Sequence, residues 1–109
     1  MDREDLVFTE RGRTLTAAIS TEIDHHCARR LRERIDERIF LSKPEVLVLD
    51  FSGVRFMDSS GIALILGRVD RAGAVGASVY LVGLSPSLLK LVRLSGLDRI
   101  RNLTVATSG

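Results

Sequence analysis

The 109-residue chain has no tryptophan, only 5% aromatic residues, a single cysteine (Cys27) and two prolines. Sparse aromatics, nowhere interleaved with Lys and Arg, argue against a stacking platform for single-stranded nucleic acid. The formal net charge of +2 is too small an excess to imply a polyanionic partner, although the pI is 9.2. One cysteine excludes an internal disulfide and fits a reducing compartment. No apolar run approaches the roughly 18 residues of a membrane span. The opening Met1-Asp2-Arg3-Glu4-Asp5 is charged, unlike a secretory leader. Together these absences lead to the expectation of a cytoplasmic protein with neither membrane nor nucleic acid as partner.

What is present is the composition of an ordinary globular domain, 45% hydrophobic and 28% charged, long enough to bury a core as a single unit over residues 1–109. The organising stretch is Val54-Arg55-Phe56-Met57-Asp58-Ser59-Ser60-Gly61-Ile62. Upstream, the unbroken apolar run Val46 to Leu49, ending in Asp50, reads as a strand buried on both faces. Downstream, Ile62, Ile65, Leu66 and Val69 recur at helical spacing. Asp58, Ser59 and Ser60 therefore stand where a loop feeds a helix N-terminus, whose free N–H groups carry partial positive charge. Hydroxyls there are caps or phosphate acceptors, with Ser60 the better cap candidate.

In chain order, Leu6 to Glu10 and Thr14 to Ile19 form β-prone runs around Gly12, a short hairpin. Asp24 is a good N-cap for a helix from His25 to about Phe40. Its apolar stripe is Ala28, Leu31, Ile35 and Ile39, and Arg29–Glu33 and Arg32–Asp36 are i,i+4 pairs on a solvated face. Ser42-Lys43-Pro44 breaks that helix ahead of a strand over Glu45 to Asp50. A central helix over about Ser60 to Arg71 ends in the glycine-containing turn 72–76. Ser78 to Val82 is a strand, Ser85-Pro86 opens a helix over Ser87 to Leu94 that Gly96 ends, and Leu103 to Ala106 is a last strand. This alternation predicts an α/β fold, a mixed, mostly parallel sheet of four to five strands with helices packed on it.

At 100° per residue, the central helix places Ile62, Ile65, Leu66 and Val69 on one side and Ser60, Ala63, Leu64, Gly67 and Arg71 on the other. The second side is small and partly apolar where charge would be normal for solvent. A glycine inside a helix costs roughly 1 kcal/mol relative to alanine. That face is covered either by another element of the domain or by a partner.

Phe56-Met57-Asp58-Ser59-Ser60-Gly61, continuing through Ile65-Leu66-Gly67-Arg68, resembles the phosphorylation loop and helix of the STAS-domain anti-sigma factor antagonists. Glu22-Ile23-Asp24-His25-His26 is similar to the Glu-Leu-Asp-His-His segment of the sporulation branch, and Ser95-Gly96-Leu97 also matches. The resemblance spans about residues 6 to 106. It implies a regulatory switch that needs no cofactor and is not an enzyme. In that family the unphosphorylated antagonist binds an anti-sigma factor that is also a serine kinase, with ATP or ADP bound on that partner, and thereby releases the sigma factor. Phosphorylation follows on the serine after the aspartate, here Ser59, and a PP2C-type phosphatase resets it. The resemblance places partner contacts at Asp24, His25, Asp58, Ser60, Gly61, Ala63, Leu64, Gly67 and Arg68. Departures are Thr21 in place of a glycine, Val69-Asp70 in place of Tyr-Lys, and an end soon after the last strand, where relatives carry a further helix. A general stress-response antagonist is the alternative within the family.

Other chemistries are weaker. Ser59, His25 or His26, and Asp24 could be set out as nucleophile, base and orienter, but no Gly-x-Ser-x-Gly elbow accompanies them. Adjacent histidines on a helix point about 100° apart and no metal-ligand cluster completes a site. Asp50 as a receiver-like phospho-aspartate lacks an early acidic pair for a divalent cation. Cys27 reads as a small hydrophobe.

Overall fold

The computed structural model describes residues 5–107; the charged run 1–4 and residues 108–109 lie outside them. Two strands open the chain, β1 (Leu6–Arg11) and β2 (Thr14–Ile19), paired antiparallel. Gly12 turns the hairpin at φ +59°, a left-handed conformation that costs a glycine little. Helix α1 (His25–Ser42), β3 (Val46–Asp50), α2 (Ser59–Ala74), β4 (Ser78–Val82), α3 (Pro86–Ser95), a single 3-10 turn (Leu97–Arg99) and β5 (Leu103–Val105) follow. The strands lie in the order β1-β2-β3-β4-β5, and from β2 onward every pairing is parallel. The expected α/β sheet is therefore present, with the 3-10 turn as an unforeseen addition.

Each helical crossover steps one strand further in the same direction. With the usual right-handed connection, successive helices then fall on one side of the sheet. Burial agrees. Leu15, Leu47, Val79 and Leu103 form one buried row across four strands, and Ala17, Leu49 and Leu81 form the next. They join Leu31, Ile35 and Ile39 of α1, Leu64, Ile65 and Val69 of α2, and Leu88 and Val92 of α3 in one core. On the reverse side the register aligns Thr16, Val48, Tyr80 and Thr104, of which Tyr80 and Thr104 are exposed.

This corrects the reading of β3. Leu47 and Leu49 are buried, but Val46, Val48 and Asp50 are only partly so. Its reverse side meets no layer of helices, and β-branched residues hold a half-open surface there without needing one.

The inner side of α2 is also rotated from expectation. Leu64, Ile65, Arg68, Val69 and Ala72 are buried, whereas Leu66 is 50% exposed and Ile62 is half-buried. The helix packs against α1 as well as against the sheet, so its covered arc is wider than a sheet-facing stripe, running from Leu64 through Arg68 and Ala72 to Val69. Asp36 of α1 accordingly pairs with Arg68, at 2.7 Å, and not with Arg32. The expected Arg29–Glu33 pair is present at 3.7 Å on the exposed surface.

Helix ends moved by small amounts. Helix α1 runs on to Ser42, and Lys43 closes it in the left-handed conformation, donating its N–H to Ile39 O. In α2 Gly73 is helical, and Gly76 at φ +79° makes the turn.

Candidate functional site

The N-termini of α1 and α2 are held side by side by backbone. Ile23 and Met57 form an isolated parallel bridge, in which Ile23 N donates to Phe56 O at 3.0 Å and Asp58 N to Ile23 O at 3.2 Å. Each helix then begins at an aspartate in extended conformation. Asp24 accepts from Cys27 N at 2.9 Å, and Asp58 accepts from Ser60 N at 2.8 Å. Carboxylates at these positions satisfy free N–H groups and oppose the positive end of the helix dipole. The Cys27 N–H is the main reason the Asp24 carboxyl sits below its usual pKa.

The cap of α2 is therefore Asp58 and not Ser60. Ser60 is half-buried in the first turn, while Ser59, the first helical residue, is exposed. This division of labour leaves Ser59 free of any capping duty. Ser59 and Ser60, with Ala63 and Leu64, form one wall of a groove of about 650 Å³; His25, His26, Ala28, Arg29 and Arg32 of α1 form the other.

Of the partner-contact residues expected from the sequence, Asp24, His25 and Ala63 are exposed, with His25 and Ala63 lining the groove alongside Ser59, while Asp58 and Gly67 are half-buried. Three do not present their side to solvent. Gly61 is buried, and a Cβ on it would collide with the Met57 side chain. Leu64 is 4% exposed and belongs to the core at the groove floor. Arg68 is also 4% exposed, clamped against Asp36 between the helices. Neither Arg68 Nε nor Asp36 Oδ1 makes a well-directed hydrogen bond, despite their close approach. Burial, reinforced by Arg32 and Arg71 and opposed by Asp36, lowers the pKa of the Arg68 guanidinium. These three residues shape the site from beneath.

The small, partly apolar face anticipated on α2 exists, turned by about one residue and ending at the charge of Asp70. Ser59, Ala63, Leu66 and Asp70 succeed one another along the exposed side, with Gly67 beside them. Phe56, 50% exposed, extends it upstream. Nothing lies within 4 Å of the position a Gly67 Cβ would take, so no packing inside the domain requires glycine there. Sequence reasoning missed Phe56, Leu66, Arg29 and Arg32. The spacing of His25, Arg29 and Arg32 at i, i+4 and i+7 was the available signal for one basic face.

The carboxylates of the alternative chemistries are engaged by their own local backbone and side chains. The Asp24 carboxylate is committed to a backbone N–H, and Asp50 Oδ1 accepts from both Ser52 N and Ser52 Oγ. Among the described residues no group of three His, Cys, Asp or Glu could hold a metal ion. None of the helices among those residues is long and apolar enough to cross a membrane.

The STAS domain family matches residues 5–108. The chain belongs to the STAS family. It is 34% identical over 84 residues to an anti-sigma F factor antagonist of Lysinibacillus sphaericus, covering 77% of this chain and 72% of that protein. Among solved structures, unphosphorylated SpoIIAA, an anti-sigma factor antagonist, superposes with a TM-score of 0.78 at 31% identity, over 94% of this chain and 89% of that one. Phosphorylated SpoIIAA from Bacillus superposes at 0.70 with 31% identity, over 94% and 92% of the two chains. Within the STAS family this chain groups with the anti-sigma factor antagonists, which are regulators and not enzymes.

Proposed function

We propose that this STAS domain is a cytoplasmic anti-sigma factor antagonist of the sporulation type, active when unphosphorylated and switched off by a phosphate on Ser59. Its partner is an anti-sigma factor that is also a serine kinase; binding it frees the sigma factor, and a PP2C-type phosphatase restores the active form. The observation that carries this reading is the position of Ser59. It is exposed at the positive end of α2, freed from capping by Asp58, beside a surface formed by the exposed Phe56, Ala63 and Leu66 and the half-buried Gly67, which no other described residue covers closely.

Phosphorylation adds about −1.5 to −2 charge and three acceptor oxygens. The N–H groups of a helix start tolerate such charge, so the fold survives. The complex does not, because a dianion beside Asp58 in a contact that excludes water brings desolvation and like-charge repulsion. A penalty of about 3 kcal/mol already weakens binding roughly 100-fold. Support for the partner class comes from the anti-sigma F factor antagonists at about a third identity and from a relative solved in phosphorylated and unphosphorylated forms. Incubation with the cognate kinase and ATP, followed by mass mapping, tests the acceptor: modification of Ser59 alone is expected, and modification elsewhere with Ser59 untouched contradicts the reading.

A further inference from the structure

The groove beside Ser59 has a chemical character of its own. The α1 wall carries His25, His26, Arg29 and Arg32, and among the described residues no carboxylate lines the groove. The two flanking aspartates, Asp24 and Asp58, are turned onto backbone N–H groups. Arg29 meets Glu33 at 3.7 Å with both side chains well exposed, a weak hold in water. Arg32 has no carboxylate partner among the described ion pairs, because Asp36, one turn on, is taken by Arg68 and approached by Arg71. The Arg68 and Arg71 guanidinium groups thus share the one carboxylate of Asp36, which leaves Arg29 and Arg32 as a surplus of positive charge on the groove wall opposite Ser59.

We propose that this groove is a phosphate-receiving site that acts in cis: Arg29 and Arg32, assisted by His25 and His26, hold the phosphate borne by Ser59. The inference rests on the reading of Ser59 as the modified residue and adds what happens to the phosphate afterwards. Guanidinium forks match phosphate oxygens in geometry and charge. A phosphate tethered to the opposite wall reaches them at high effective concentration, so a groove too open to retain a free anion still holds this one. The modification then has two effects. It places a dianion at the docking surface, and it neutralises the basic wall of α1.

The test uses protein carrying phosphoserine incorporated genetically at position 59, so no kinase is involved. The second ionisation of the phosphate is followed by phosphorus NMR in the folded protein and in the same protein unfolded in urea. Cationic contacts favour the dianion, so the folded value is expected below the unfolded one by about half a unit or more. R29A/R32A should remove most of that difference, while R71A, the loss of a cation outside the groove lining, should leave it in place. Equal values in the two states overturn the proposal. So does a lowered value that survives R29A/R32A, which assigns the effect to the helix N–H groups alone. Neither outcome touches the switch itself, which fails separately if phosphorylated protein still binds the anti-sigma factor.

Discussion

Ile23 and Met57, 34 positions apart in sequence, are joined by a two-residue parallel bridge, and this places the caps of α1 and α2 next to each other. Met57 is buried beneath Gly61, which has no Cβ to displace it. The loop that presents Ser59 is therefore fixed on one side by backbone hydrogen bonds and on the other by the close approach of a side chain to a glycine.

Substitution of Gly61 by alanine forces the Met57 side chain out of its place. Overpacking of this kind costs about 1–3 kcal/mol. Urea unfolding should show that loss for G61A, together with weaker partner binding than the loss of stability explains.

Gly67 responds in the opposite sense. Its Cβ position is open, so G67A should raise stability by about 0.5–1 kcal/mol through helix propensity. On the proposed docking face the same methyl group would meet the partner, and affinity for the anti-sigma factor should fall. Gains in both stability and affinity would contradict the assignment of this face.

Arg68 and Asp36 hold α1 to α2 at low exposure, 4% and 14% for their side chains. Removing one partner of such a pair costs about 3 kcal/mol or more, so R68A should show a large drop in unfolding free energy. Arg71, 61% exposed at 3.9 Å from the same carboxylate, should cost less than about 1 kcal/mol when replaced by alanine.

The Asp24 cap carries a pH signature. Its folded pKa is depressed by the Cys27 N–H, so its contribution is present above the unfolded value of about 3.9 and disappears as pH falls through the folded one. Asparagine keeps the capping geometry without the charge. The stability difference between wild type and D24N should be constant near neutrality and shrink in acid below about pH 4.

Much of this was legible in the sequence, for reasons that differ by element. The hairpin, the three helices and the parallel strands followed from turn residues, caps and spacing, and the Asp58-Ser59-Ser60 motif pointed to the proposed site. Two kinds of information were missing. Periodicity shows that α2 has an apolar arc but not which neighbours share it; packing on α1 turned the arc toward Leu64 and Arg68 and left Leu66 outside. Nor does a charge run reveal that two helix starts will be bridged. Arg29 and Arg32 read as ordinary solvated residues until Ile23 and Met57 bring Ser59 opposite them.

The central claim is decided by titrating the anti-sigma factor with protein bearing phosphoserine at position 59 and with the unmodified chain, once circular dichroism shows both folded. A loss of affinity of about 100-fold or more is the result expected from a dianion placed at the head of α2. Equal affinity in the two titrations would contradict the account.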